Sequence, residues 1–236
     1  MQKELTIIIP TKNEEKYLGT LLNSLIDQDY PCMAATRVLV ADAGSTDGTR
    51  RLAESFKGRL DLEVIPGGTP SVGRNNGAHL ATTPYILFID ADIFVRRTMI
   101  RRTLAYLKHY GWHAATTNIL CKTGIFLDQA FYFTLNTTAR LMGFGTGMFL
   151  LFERQKFLEL GGFDARILYA EDVFLTKQLP RNRFGHVPGA VLAPNRRFRH
   201  MGYSRLGWLW LKTVFNLYND RFYYRDHSYW QYRVSD

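Results

Sequence analysis

An alternation of strands and helices limits most sharply what this chain can fold into. Leu5-Thr6-Ile7-Ile8-Ile9, Arg37 to Ala41, Leu62 to Ile65 and Tyr85 to Ile89 are short runs rich in aliphatic residues. Each is too short for a helix of its own and reads as a strand, the first, second and last of them buried on both faces. Helical patterns lie between them. Glu14 to about Asp27 carries Leu18, Leu21, Leu22, Leu25 and Ile26 at helical spacing, with Asn13 as the expected cap. Thr46 to Phe56 and Val72 to Ala81 supply two more helices. Strands alternating with helices predict an α/β fold, a parallel sheet with helices on its faces, of nucleotide-binding type to about residue 95.

The second half is less regular. Thr98 to Tyr110 has a helical pattern, Ala114 to Ile119 an extended one and residues 125 to 142 an aromatic-rich helical one. Gly147 to Phe152 reads as a strand and Arg154 to Leu160 as a short helix closed by Gly161-Gly162. Glu171 to Gln178 and Leu206 to Asn219 are further expected helices. With no internal repeat, low-complexity tract or Pro/Gly/Ser-rich linker, one continuous domain with two functional halves is expected.

Apolar content of 46% with 14% aromatic residues is ample for a packed core and excludes a disordered chain. The net charge of +9 fits anionic partners: nucleotide phosphates, nucleic acid or an acidic membrane surface. The excess concentrates at Arg96, Arg97, Arg101 and Arg102, and again from Arg181 onward. Cys32 and Cys121 show neither CxxC nor metal-ligand spacing, which points to a reducing, cytoplasmic compartment without a disulfide framework. Met1-Gln2-Lys3-Glu4 leads directly into a strand, so no signal peptide is expected. No run of about 18 apolar residues occurs, so no transmembrane helix is expected either.

The strand at Tyr85 to Ile89 ends abruptly in Asp90-Ala91-Asp92. Open α/β sheets bind ligands at the carboxyl edge of their strands. Paired carboxylates are hard donors for Mg²⁺ or Mn²⁺, which commonly also hold substrate phosphates. Taken alone, the feature fits a metal–diphosphate site or a polar turn. The second strand ends in Asp42-Ala43-Gly44-Ser45-Thr46-Asp47-Gly48-Thr49, where Asp42 can accept hydrogen bonds from a base or ribose, or Ser45 and Thr46 simply cap a helix. Gly73-Arg74-Asn75-Asn76-Gly77 opens the third helix; Arg74 there can pair with a phosphate, stack on a base or stay solvated. Glu171-Asp172 heads another helix, as a complement to its dipole or as a general base.

In order, the chain reads IIIPTKNEE, DAGSTDGT, GRNNG, DAD, GGFD and AED. This ordered set resembles the family 2 glycosyltransferases, over residues 5 to about 180. The resemblance implies a GT-A fold, a mixed and mainly parallel sheet flanked by helices. It implies residues 1–95 as a nucleotide-sugar-binding half, 96–200 as an acceptor-binding and catalytic half, and 201–236 as an aromatic, basic extension of the same domain. It places Pro10, Thr11 and Glu14 in the nucleoside pocket, Asp42 on the base and Arg74 near the nucleotide. Asp90, Ala91 and Asp92 match the DxD motif, with Asp92 reaching the Mn²⁺ or Mg²⁺ that bridges the diphosphate. Asp172 matches the catalytic base, with Gly161, Gly162, Phe163 and Asp164 shaping the acceptor site. Gly147 and Glu171 are expected on the acceptor and diphosphate side. The implied reaction is inverting transfer from a UDP or GDP sugar to an acceptor hydroxyl on a sugar, a lipid-linked molecule or another compound. The Gln-x-x-Arg-Trp stretch of processive members is missing, which speaks for transfer of a single sugar. Asn195-Arg196-Arg197-Phe198-Arg199-His200 stands in its place. Arg196 and Arg197 can grip a diphosphate, and His200 either completes the metal shell beside Asp92 or belongs to a basic surface loop.

From Leu206 onward come Trp208, Trp210, Phe215, Tyr218, Phe222, Tyr223, Tyr224, Tyr229, Trp230 and Tyr232, interleaved with Lys212, Arg221, Arg225 and Arg233. The segment fits a helix packed on the sheet, a platform for an acceptor sugar, or peripheral contact with an anionic membrane. Two rival activities are weaker. A sugar nucleotidyltransferase would carry a Gly-rich basic loop where Pro10-Thr11-Lys12-Asn13-Glu14 stands, and an oxidoreductase would show GxGxxG. A nucleic-acid-binding module leaves Asp42, Asp90, Asp92 and Asp172 unexplained, so no nucleic-acid partner is expected.

Overall fold

The computed structural model describes residues 3–225 and His227. Tyr229, Trp230, Tyr232 and Arg233 lie outside the described residues. The first half runs β1 (Leu5–Thr11), α1 (Glu15–Ile26), β2 (Arg37–Asp42), α2 (Thr49–Glu54), β3 (Asp61–Pro66), α3 (Pro70–Leu80) and β4 (Tyr85–Ile89). The second runs α4 (Met99–Tyr110), β5 (Ala114–Cys121), α5 (Phe126–Met142), β6 (Phe149–Glu153), α6 (Arg154–Glu159) and α7 (Glu171–Thr176). It continues with β7 (Phe184–Ala193), α8 (Arg196–Met201), α9 (Tyr203–Phe215) and α10 (Asp220–Tyr223).

The described strands form one sheet in the order β3-β2-β1-β4-β6-β5-β7. β1 lies parallel to β2 and β4, β2 to β3, and β5 to β7; β6 alone runs antiparallel to both its neighbours. The expected mixed, mainly parallel sheet flanked by helices is therefore observed. Both of its faces are covered. Ile7 and Ile9 pack with Leu18 and Leu22 of α1 and Leu104 of α4, while Ile8 points the other way to Ala78 of α3. This two-sided burial is why β1 is continuously apolar instead of alternating. α3 lies directly on β1, since a Cβ added at Gly77 would stand 2.5 Å from Cγ2 of Ile8. A third cluster joins Phe144, Ile167, Val173, Phe222 and Tyr223, seating α10 against α7.

Three local expectations are corrected. Asn13 does not cap α1. It adopts a positive φ of 54° and its Oδ1 accepts from the Thr46 N–H at 2.9 Å. That cross-loop bond keeps Thr46 out of α2, which begins only after Gly48. Asn195 to His200 is the cap and nearly the whole of the short helix α8, not a basic surface loop, with Phe198 buried against Phe131, Tyr132 and Tyr203. β7 was unexpected because Pro188-Gly189 interrupts its pattern. The pairing steps from Thr117↔Val187 to Asn118↔Ala190, so the two residues bulge out of the ladder.

Candidate functional site

The carboxyl ends of β1, β2 and β4 carry the acidic residues to one edge of the sheet. Thr11 and Asp42 are register partners there. Antiparallel β6 begins where β4 ends, and the Asp90 N–H donates to the Met148 carbonyl at 3.2 Å. This brings Gly147 beside the aspartates. A single antiparallel strand thus joins the two halves of the chain at the edge that carries these carboxylates.

Arg74 is the centre of the arrangement. It is 3% exposed, and its Nη2 donates to Oδ1 of Asp90 at 2.7 Å while Nη1 donates to Oε1 of Glu171 at 2.8 Å. Its guanidinium lies 5.2 Å from the Phe163 ring centroid, and Asn75 holds Phe163 in place through both backbone groups, at 2.7 and 3.0 Å. These two ion pairs tie the first aspartate of the DAD run to the acidic pair on α7.

Asp172 is half-buried. The Gly147 N–H donates to its Oδ2, and the Val173 N–H donates to Oδ1 at 2.8 Å. Burial and the neighbouring Glu171 charge raise its proton affinity well above the ordinary carboxylate range, against the opposing pull of these N–H groups and of Arg74. Gly147 cannot carry a side chain without intruding, since an added Cβ would lie 2.9 Å from Nη2 of Arg74 and 3.3 Å from Oδ2 of Asp172. Ala170, just before the acidic pair, has a left-handed φ of 57°, a conformation that costs a non-glycine residue free energy.

A second network surrounds Asp92. Arg196, the first residue of α8, grips Glu14 in bidentate fashion at 2.7 and 2.9 Å and reaches Oδ2 of Asp92 at 2.9 Å. Its guanidinium sits 5.1 Å from the Tyr17 ring centroid. Arg197 stands 3.7 Å from Oδ2 of Asp90. Asp42 lies apart from both networks, its carboxylate accepting from Ser45 Oγ at 2.5 Å and from the Ser45 N–H at 3.2 Å. Pro10 and Thr11 end β1 beside it.

The donor set fits a hard divalent cation. Asp90 and Asp92 present carboxylate oxygens, the ligand type such cations prefer. Arg196 and Arg197 bring positive charge to those same oxygens. Among the described residues no three His, Cys, Asp or Glu side chains gather into a metal nest; His200 lies one turn along α8 from Arg196, and the cation seen on Asp92 is that arginine. A cleft opens beside the network, lined by Arg74, Asp90, Gly147, Glu171, Asp172 and Arg197 on its polar side. Its other walls are apolar, from Phe131, Tyr132 and Leu135 of α5 and Leu206, Leu209 and Trp210 of α9.

Residues 6–158 match the family model described as Glycosyl transferase family 2. The chain belongs to this family. Among curated relatives, the family 2 chain is 32% identical over 111 residues to the Staphylococcus aureus poly(ribitol-phosphate) beta-N-acetylglucosaminyltransferase TarS, covering 45% of this chain and 19% of TarS. It is 39% identical over 104 residues to the S. aureus 4,4'-diaponeurosporenoate glycosyltransferase, covering 42% of this chain and 26% of that protein. The matched stretches thus span about a fifth to a quarter of these relatives. Among solved structures, S. aureus TarS 1–349 in complex with UDP superposes with a TM-score of 0.67 at 24% identity, over 81% of this chain and 60% of that one. The mannosyltransferase PcManGT from Pyrobaculum calidifontis, in complex with GDP-Man and Mn²⁺, superposes with a TM-score of 0.65 at 21% identity, over 91% and 65%. The fold is that of the GT-A glycosyltransferases.

Sequence reading missed the roles of Asn75, Tyr169 and the apolar wall from α9. Asn75 carries a signal in retrospect, lying next to Arg74 in GRNNG. Tyr169 bonds Thr213 of α9 at 2.9 Å, a contact between distant segments that no local pattern encodes.

Proposed function

We propose that this chain transfers one sugar from a nucleoside-diphosphate sugar to an acceptor hydroxyl with inversion, using Asp172 as general base. The observation that carries this reading is the pose of Asp172. Two backbone N–H groups fix its oxygens in a cleft that it shares with Asp90, and its proton affinity is raised into the range useful to a base at neutral pH. In the proposed step Asp172 takes the acceptor's hydroxyl proton as the acceptor oxygen bonds to the anomeric carbon. The bond from that carbon to the diphosphate oxygen breaks, and the nucleoside diphosphate leaves with the electron pair. One displacement with one base inverts the centre.

Asp92, with Asp90 beside it, would hold Mn²⁺ or Mg²⁺, which when bound supplies charge neutralisation to the departing diphosphate. Arg196 and Arg197 offer guanidinium donors to the same group. Pro10, Thr11, Glu14 and Asp42 lie at the edge suited to the ribose and base. Similarity to proteins bound to UDP, UDP-GlcNAc and GDP-Man with Mn²⁺ supports a UDP or GDP sugar as donor. The mixed polar and apolar cleft suits a sugar or lipid-linked acceptor, and the aromatic, basic helices at the carboxyl end suit peripheral contact with an anionic membrane.

A thermal-shift comparison of UDP and GDP with Mn²⁺ tests the donor assignment. A rise in midpoint with one of them, abolished by chelation, is expected because a ligand that binds only the folded state stabilises it. No rise with either would remove it.

A further inference from the structure

The two helices that wall the acceptor cleft carry large apolar residues on both sides. The inner sides of α5 and α9 supply Phe131, Tyr132 and Leu135, and Leu206, Leu209 and Trp210, to the cleft. Their outer sides present further large apolar residues to solvent, among Thr137 and Arg140 on α5 and Ser204 and Lys212 on α9. On α5, Phe126, Phe133 and Leu141 recur at seven- and eight-residue spacing, so they share one side; Phe126 is 80% and Phe133 70% exposed. On α9, Trp208, Leu211 and Phe215 share a side at three- and four-residue spacing, with Phe215 84% exposed. Large exposed apolar side chains rimmed by polar and basic residues mark an interaction surface on a soluble protein.

The charge on these helices identifies what covers them. α5 and α9 carry Arg140, Arg205 and Lys212 but only one acid, Asp128, which is buried and bonded to Tyr203 and Thr123. The Lys212 ammonium lies 5.2 Å from the Trp208 ring centroid. Trp, Phe and Leu flanked by Lys and Arg, with no exposed carboxylate, are complementary to a bilayer with anionic head groups. No described helix is long and apolar enough to cross a membrane, so the contact would be interfacial.

We infer that the outer faces of α5 and α9 dock on an anionic lipid surface, placing the apolar side of the cleft toward the bilayer so that an acceptor with a hydroxyl head and an apolar tail reaches Asp172 from it. The acceptor part rests on the transfer reading above; the docking surface does not. Co-sedimentation with phosphatidylcholine vesicles, with and without phosphatidylglycerol, tests it. The expected result is binding to the phosphatidylglycerol vesicles, weakened by salt. Phe126→Ser, Phe133→Ser, Trp208→Ser and Phe215→Ser should each lower partitioning by about tenfold, as removal of a buried large apolar side chain would. The same variants should keep the midpoint shift with nucleoside diphosphate, which guards against loss of fold. Absence of parent binding to anionic vesicles, or unchanged binding by all four variants, would overturn the inference. So would a parent dimer in light scattering that the variants convert to monomer, because a second copy would then cover this face. Retained vesicle binding without any nucleotide-induced shift would sink the transfer reading and leave the surface standing.

Discussion

Asp172 meets two opposing demands. Backbone N–H groups and Arg74 favour its charged form, while burial and Glu171 oppose it, and the opposition wins. Asp172→Asn should therefore keep nucleoside-diphosphate affinity in calorimetry and lose turnover by about a hundredfold or more; turnover within a few-fold of the parent would remove Asp172 as base. The pH dependence has a fixed sign. A carboxyl whose proton affinity is higher folded than unfolded makes the folded state bind more protons, so its contribution to stability falls as pH rises from the ordinary carboxylate range through the raised value. The parent's rate should climb through that raised value while its melting midpoint declines relative to Asp172→Asn, measured by paired rate and melting series. The motif order made Asp172 legible in the sequence. The need for glycine at position 147 was not, because it arises from Arg74 and Asp172, one of them far earlier in the chain, approaching the same point.

Among the elements, α3 and α8 decide how the site is held. α3 presses its glycines on β1 and β2 and drives Arg74 inward, where removing it would strand Asp90 and Glu171. Arg74→Gln should destabilise the fold by about 3 kcal/mol, measured by denaturant melts, because a buried charge left without its partner is costly. α8 instead delivers Arg196 from the far end of the chain to Glu14 and Asp92. Arg196→Gln should weaken nucleoside-diphosphate binding in calorimetry and also lower the denaturant midpoint, because Glu14 and Asp92, 4% and 7% exposed, would lose their cation. The strands and long helices were legible because burial on one or two faces writes a period into the sequence. α8 was not, being too short to show a period, and β7 was hidden by a Pro-Gly bulge.

Across the whole molecule, the cleft depends on the carboxyl-terminal helices closing over it. Tyr223 is fully buried, bonds the Leu217 carbonyl at 3.1 Å and packs 5.1 Å from Phe174 of α7. Tyr223→Ala should cost about 3 kcal/mol in a denaturant melt and lower kcat more than it changes donor affinity, because α7 carries Asp172, the base we propose. The described carboxyl-terminal helices divide their large apolar residues between core and solvent. Leu206, Leu209, Phe222 and Tyr223 are packed inside, while Trp208, Phe215 and Tyr218 stand outside. Local pattern alone set the alternation of strands and helices, the acidic strand ends and the family, because periodicity and turn chemistry act between near neighbours. The pairing of Arg74 with Asp90 and Glu171, the bridge from Arg196 to Glu14 and Asp92, and the apolar wall of the cleft were decided by tertiary structure, because each joins segments whose approach depends on how a single antiparallel strand closes the sheet.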